Sequence, residues 1–218
     1  MIKAVIFDLD GTLVNSLGDL CDSTNFALKQ YGLPERKYNE FNYLVGDGVP
    51  KLIERAIDPQ KLTKELHKNV YKAFIKHYRL HYLDKTTPYD GIPQCLEQFE
   101  KTGLKMAVLS NKVDEMAVKV VEKLLTCNFS AVFGKREEYP LKPDPTLTLK
   151  IIKSLGVKPC ECAFVGDSGM DMATAKNADC VAVGVLWGFR TKEELLQNGA
   201  DYLAQTPEEL VSIIMAID

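Results

Sequence analysis

No apolar run in the chain approaches the roughly 20 residues that a membrane-spanning helix needs, so neither a transmembrane segment nor a membrane partner is expected. The amino terminus lacks the basic segment and apolar core of a secretory signal and starts on a strand-like run, which predicts a cytoplasmic protein. Positive charge is not in excess: 27 Lys and Arg stand against 30 Asp and Glu, for a formal charge of −3 and a pI near 5.7. Binding to nucleic acid is therefore not expected, and a phosphate partner must be recognised by local groups. The six cysteines follow no disulfide framework and read as reduced thiols. Cys160-Glu161-Cys162, the one close pair, has neither a second pair nor a histidine at metal spacing, so it reads as ordinary thiols leading into a strand. Of the three histidines, His77 and His81 share a helix face, but Lys76 and Arg79 surround them and the face reads as solvated. With no internal repeat or low-complexity segment, the 218 residues suit one large domain or a core with a smaller insert.

What is present begins with Ile2-Lys3-Ala4-Val5-Ile6-Phe7, a β-branched run that enters Asp8-Leu9-Asp10-Gly11-Thr12 and reads as a buried parallel strand closed by a turn. Residues 15–84 then carry helical periodicity and no convincing strand. Leu17, Leu20, Thr24, Ala27, Leu28 and Tyr31 mark a first helix. Helical stretches follow at 38–45 and 49–57, and Leu62, Leu66, Val70, Phe74 and Tyr78 mark a longer helix up to about 83. From residue 85 strands and helices alternate, with strands at 105–109, 131–133, 162–165 and 181–183. The expected fold is α/β: a Rossmann-like parallel sheet of five strands or more with helices on both faces, formed by 1–14 and 85–218. An all-α cap, residues 15–84, is inserted after the first strand and is a candidate lid; ordinary packing helices are the alternative.

Open α/β sheets place ligands beyond the carboxyl ends of their strands, and chemistry-bearing residues gather at those positions here. Side chains i and i+2 leave a strand together, so Asp8 and Asp10 are expected side by side, with a repulsion of about 4 kcal/mol at ~4 Å that a hard cation would reverse. The plainer alternative is an Asp-Gly turn with one Asp capping the next helix. Ser110 follows the second strand and is expected to open a helix, giving a hydroxyl and free N–H groups for an anion, or else a simple N-cap. Lys142 sits between stiffening prolines in Leu141-Lys142-Pro143-Asp144-Pro145, as an anion-facing ammonium or an exposed loop lysine. Gly166-Asp167-Ser168-Gly169-Met170-Asp171 adds two further carboxylates, an arrangement that calls for a bound cation.

Taken together, Asp-x-Asp-Gly-Thr, Ser-Asn-Lys, Lys-Pro-Asp-Pro and Gly-Asp-Ser-x-x-Asp resemble the four motifs of the haloacid dehalogenase-like hydrolases, over essentially the whole chain. The resemblance implies that Asp8 is a nucleophile forming an aspartyl phosphate and that Asp10 is the general acid and base. It implies Mg²⁺ held by Asp8, the backbone carbonyl of Asp10 and Asp167, with Asp171 behind them. Thr12, Ser110, Asn111 and Lys142 are implied to hold the phosphoryl group. Within the family the likeness is to phosphoglycolate phosphatases, through Asp8 to Ser16, Val45-Gly46-Asp47-Gly48, Glu54-Arg55-Ala56, Ser110-Asn111-Lys112 and Gly184-Val185 with Trp187-Gly188. Asn15 departs from that branch, which has Asp there, but Asn caps a helix as well. The implied activity is Mg²⁺-dependent hydrolysis of a small phosphate ester, 2-phosphoglycolate; in the cap, Gly46, Asp47 and Gly48 before a helix start, with Lys51, could hold its carboxylate, or the two glycines merely make the turn between helices. A phosphomutase, a pyrophosphatase and a non-catalytic phosphate-binding protein are the alternatives. Monomer and homodimer both stay open.

Overall fold

The structure is a computed structural model that describes residues 1–217. It divides into two compact units, one of Met1–Val14 with the chain from Pro88 onward and one of Asn15–Thr87.

The first unit is built on a parallel sheet of six strands: β1 (Ala4–Phe7), β4 (Lys105–Val113), β5 (Ala131–Lys135), β6 (Cys162–Gly166), β7 (Val181–Val185) and β8 (Tyr202–Ala204). Their order is β5-β4-β1-β6-β7-β8, so β1 lies between β4 and β6, with Phe7 level with Val108 on one side and Val165 on the other. All four β1 residues are fully buried, as expected of a strand covered on both faces. Alternation sends Ala4 and Ile6 into a core with Leu147, Ile151 and Leu155 of α7 (Thr146–Leu155) and Met172 and Ala175 of α8 (Gly169–Asn177). Phe7 meets Phe99 of α5 (Ile92–Lys101), the ring centroids 6.1 Å apart. Each such large side chain taken from water contributes roughly 1.5–3 kcal/mol, which fixes β1 as the rigid centre of the sheet. Because the chain goes from β1 to β4 and β5 on one side and then to β6, β7 and β8 on the other, the carboxyl end of β1 is the switch point where such sheets bind ligands.

Two elements depart from expectation. The second strand does not stop at residue 109 but runs through Ser110, Asn111 and Lys112 to Val113, with a register shift against β5 between Leu109 and Val113; helix α6 (Asp114–Leu124) follows. Ser110 therefore does not open a helix. The sixth strand, β8, and α9 (Lys192–Gln197) are too short to stand out by periodicity. A terminal helix, α10 (Pro207–Ala216), completes this unit.

The second unit holds α1 (Leu17–Gln30), α2 (Phe41–Leu44), α3 (Val49–Ala56) and α4 (Lys64–His81). Leu20, Thr24, Ala27 and Leu28 form the buried stripe of α1, which packs along α4 and its Val70, Phe74 and Tyr78. The Asn15 side-chain oxygen accepts from Leu17 N at 3.2 Å, so Asn fills the capping role at that position. α4 starts later than its apolar rhythm suggests, at Lys64, because Thr63 accepts from Leu66 N while Asp58 and Pro59 lie in the preceding turn. Asp19, buried in the first turn of α1, accepts from Lys85 N and Thr86 N at 2.9 Å each and from the Thr86 hydroxyl at 2.6 Å. The chain crosses between the units at β2 (Val14–Asn15) and β3 (Thr87–Pro88), which form a two-stranded ribbon. Among the described residues no helix is long and apolar enough to cross a membrane.

Candidate active site

Asp8 follows the last residue of β1, and its N–H donates to Val165 O of β6 at 2.8 Å, so the strand pairing itself fixes where the carboxylate emerges. The Lys142 ammonium stands 2.8 Å from Asp8 Oδ1 and 2.6 Å from Asp171 Oδ1, and all three side chains are buried. Asn111 holds the loop that carries this lysine by accepting from Lys142 N at 3.1 Å. Asp171 is oriented from its other side, where Oδ2 accepts from Ser168 N and the Ser168 hydroxyl in a capping box at the start of α8. Asp167 Oδ2 accepts from Phe189 N at 2.8 Å and Oδ1 from the Thr12 hydroxyl at 3.3 Å. Gly11 and Gly188 let the turn after β1 and the loop after β7 close on Asp167, since a Cβ at either would overlap its carboxylate stem.

One oxygen from each of Asp8, Asp167 and Asp171 lies within 4.8 Å of the others. Three buried carboxylates with one ammonium carry a surplus of two negative charges, and the cost shows in their acidity. Burial first, then the neighbouring Asp171 and Asp10 against the pull of Lys142, raises the Asp8 carboxyl from 3.8 to about 7. Burial, then Asp171 and Asp8, also raises Asp167 well above the carboxylate range. For Lys142 burial works against the charge, but Asp171 and Asp8 outweigh it and keep the ammonium protonated. The donor set is all hard oxygen, and the charge deficit equals that of one dication, so these residues fit Mg²⁺.

The structure alters the expected partnership of Asp8 and Asp10. Asp8 pairs with Lys142, whereas Asp10 gives its side chain to Lys112, whose ammonium lies 3.0 and 3.2 Å from its two oxygens. Alternation fails because β1 ends at Phe7 and the chain then turns on the Leu9 carbonyl, which accepts from the Leu13 and Val14 amides at 3.0 Å each. Thr12 is fully buried, and its hydroxyl donates to Asp167 and so supports that carboxylate. Ser110 accepts from Lys112 N at 3.2 Å and keeps its own O–H to donate, while Asn111 keeps its amide N–H groups. Lys112 was not singled out by sequence; only its place beside Ser110-Asn111 signalled it.

Gly46, Asp47, Gly48 and Lys51 belong to the helical unit. Gly46 and Gly48 take φ of +111° and +81°, conformations that favour glycine, and Gly48 immediately precedes α3. The Asp47 carboxylate pairs with Arg55, whose guanidinium also reaches Leu44 O at 3.3 Å. Lys51 is exposed and pairs with Glu54 at 2.8 Å.

A family model described as haloacid dehalogenase-like hydrolase matches residues 5–185. The chain belongs to that family. Among curated haloacid dehalogenase-like relatives, a phosphoglycolate phosphatase from Chromobacterium violaceum is 35% identical over 217 residues, covering 98% of this chain and 96% of its own. One from Aquifex aeolicus is 31% identical and covers 98% and 97%. A solved structure from Lactobacillus delbrueckii subsp. bulgaricus, provisionally assigned as a phosphoglycolate phosphatase, superposes with a TM-score of 0.92 at 30% identity, over 97% of this chain and 98% of its own. The parallel sheet with β1 at its switch point is thus the hydrolase core of the haloacid dehalogenase-like fold.

Proposed function

We propose that the chain is a Mg²⁺-dependent phosphatase that hydrolyses 2-phosphoglycolate through an aspartyl phosphate on Asp8. The observation that carries this reading is Asp8 at the end of the central strand, with a buried ammonium at 2.8 Å and two further carboxylates gathered beside it. An Asp8 oxygen attacks phosphorus, the ester P–O bond breaks, and Asp10 gives its proton to the departing alkoxide. Asp10 then takes a proton from water as the water oxygen attacks phosphorus, and cleavage of the P–O bond to Asp8 releases phosphate and restores the carboxylate. Lys142 favours the ionised nucleophile and offsets the charge of the incoming phosphate. The Ser110 hydroxyl and the Asn111 amide donate to phosphoryl oxygens. Asp8, Asp167 and the Asp10 carbonyl would hold Mg²⁺, with Asp171 behind them, and the ion would supply neutralisation of the charge on the carboxylates and the phosphoryl group.

The substrate is supported by the relatives, phosphoglycolate phosphatases that align with this chain along nearly their whole length. Residues 15–84 serve as the lid, in which the loop of Gly46, Asp47 and Gly48 and the start of α3 present N–H groups to the substrate carboxylate. Six free cysteines, four of them buried, support a reducing compartment such as the cytoplasm. Phosphate release from 2-phosphoglycolate, hexose phosphates and pyrophosphate, with Mg²⁺ and with EDTA, tests the proposal. Metal-dependent release with the highest kcat/KM on 2-phosphoglycolate is expected, and Asp8→Asn should abolish it. A preference for a hexose phosphate removes the substrate, and an active Asp8→Asn variant removes the mechanism.

A further inference from the structure

We propose that Lys112 is a positioning residue for Asp10 and that it acts in the second half of the reaction, the attack of water on the aspartyl phosphate. The proposal rests on the aspartyl-phosphate reading above. A lysine is almost never enclosed unless it is paired, and the Lys112 side chain is only 4% exposed. Its ammonium meets both oxygens of Asp10, at 3.0 and 3.2 Å, across a sequence separation of 102 residues. The contact depends on the irregular end of β4. The Lys112 N–H donates to Ser110 Oγ, and the register against β5 shifts between Leu109 and Val113, which re-aims the side chains that a regular strand would alternate.

The two buried lysines divide the carboxylates between them. Lys142 serves Asp8 and Asp171, and Lys112 serves Asp10. Asp10 hangs on a short stem that an unpaired carboxylate would be free to rotate, and the two-oxygen contact fixes its plane. That orientation serves the water step, when Asp10 takes the proton from the attacking water. The first half needs a proton on Asp10 only when the leaving oxygen is strongly basic, so it can proceed without Lys112 for a nitrophenolate leaving group.

The test uses 4-nitrophenyl phosphate with Mg²⁺ and the full chain. In Lys112→Met, kcat should fall by about tenfold or more, within the range of a general base, while kcat/KM, which reports steps up to nitrophenol release, stays within about threefold. KM should fall along with kcat, and rapid mixing should show a burst of nitrophenol approaching one equivalent per protein as the aspartyl phosphate accumulates. Lys112→Arg, which keeps a bidentate cation, should restore kcat. In an Asp10→Asn background Lys112→Met should change nothing further, because it acts only through Asp10. Should the methionine variant fail to fold, Lys112→Gln is read by the same criteria. Equal losses in kcat and kcat/KM, an unchanged kcat, or a full effect in the Asp10→Asn background overturns the proposal while the phosphatase reading stands. A wild-type protein that releases no phosphate from any monoester overturns both.

Discussion

The charge surplus at the candidate active site has a consequence for stability that can be measured without turnover. In the protein alone, burial and the neighbouring carboxylates raise Asp8 from 3.8 to about 7. A carboxyl whose folded value lies above its unfolded value keeps a proton that the unfolded chain has already released, so between those values the native state loses ground as pH rises. Below about pH 4 both states are protonated and the effect is absent; above about 7 it is complete. At about 1.4 kcal/mol per unit, going from pH 5 to pH 8 costs about 2–3 kcal/mol from Asp8 alone, and Asp167, raised in the same direction, adds to it. For a chain of this size that lowers the melting temperature by roughly 5–10 °C. The assay is thermal melting by circular dichroism in EDTA across that range. Asp8→Asn should flatten the profile and melt higher than wild type at pH 8, because an amide fills the same space without charge. Added Mg²⁺ should raise the melting temperature of wild type more at pH 8 than at pH 5, where protons compete for the ligands. A wild-type melting temperature in EDTA that is level or rising from pH 5 to pH 8, or an Asn variant less stable at pH 8, would refute the reasoning.

Asp167→Asn should raise the Mg²⁺ concentration for half-maximal activity at least tenfold, since a hard cation loses a charged ligand; an unchanged Mg²⁺ titration places the metal elsewhere. Lys142→Ala leaves Asp8 and Asp171 buried without their cation and should lower stability by about 3–5 kcal/mol as well as activity, which urea unfolding at neutral pH will show. Asp19→Ala removes the acceptor of three hydrogen bonds in the helical unit and should cost about 2–4 kcal/mol in the same assay. Gly48→Val places a β-branched residue at φ +81° and should lower kcat/KM for 2-phosphoglycolate more than for 4-nitrophenyl phosphate. Equal losses on the two substrates would remove that loop from substrate recognition.

The fold was legible because most of its strands are short β-branched runs closed by Gly, Asp or Ser, and buried parallel strands need no alternation to be seen. What escaped was short or irregular. Tyr202–Ala204 has three residues, and only its place beside β7 makes it a strand. The end of β4 carries polar residues where a helix start is the ordinary reading, yet Ser110 accepts from Lys112 N and the chain stays extended to Val113. In the site, Asp8 and Asp167 follow strands, Lys142 lies in the loop before α7 and Asp171 in the first turn of α8; each alone has a plain structural reading, and it was the joint order of the motifs, through the family resemblance, that named them.

The pairing among those groups could not be read in the same way, and the reason is geometric. Counting i and i+2 along β1 puts Asp10 beside Asp8, but the turn on the Leu9 carbonyl breaks the count one residue before it matters. A similar break in β4 brings Lys112 to Asp10 across 102 residues, a separation at which no local rule operates. Electrostatics then shows why both breaks belong to one design. Four carboxylates, Asp8, Asp10, Asp167 and Asp171, face the two ammonium groups Lys112 and Lys142. Were Asp10 to point where simple alternation sends it, a fourth carboxylate would join the buried three with no second cation at hand. Sent to Lys112, it is neutralised apart from them, and the remaining surplus matches a single dication.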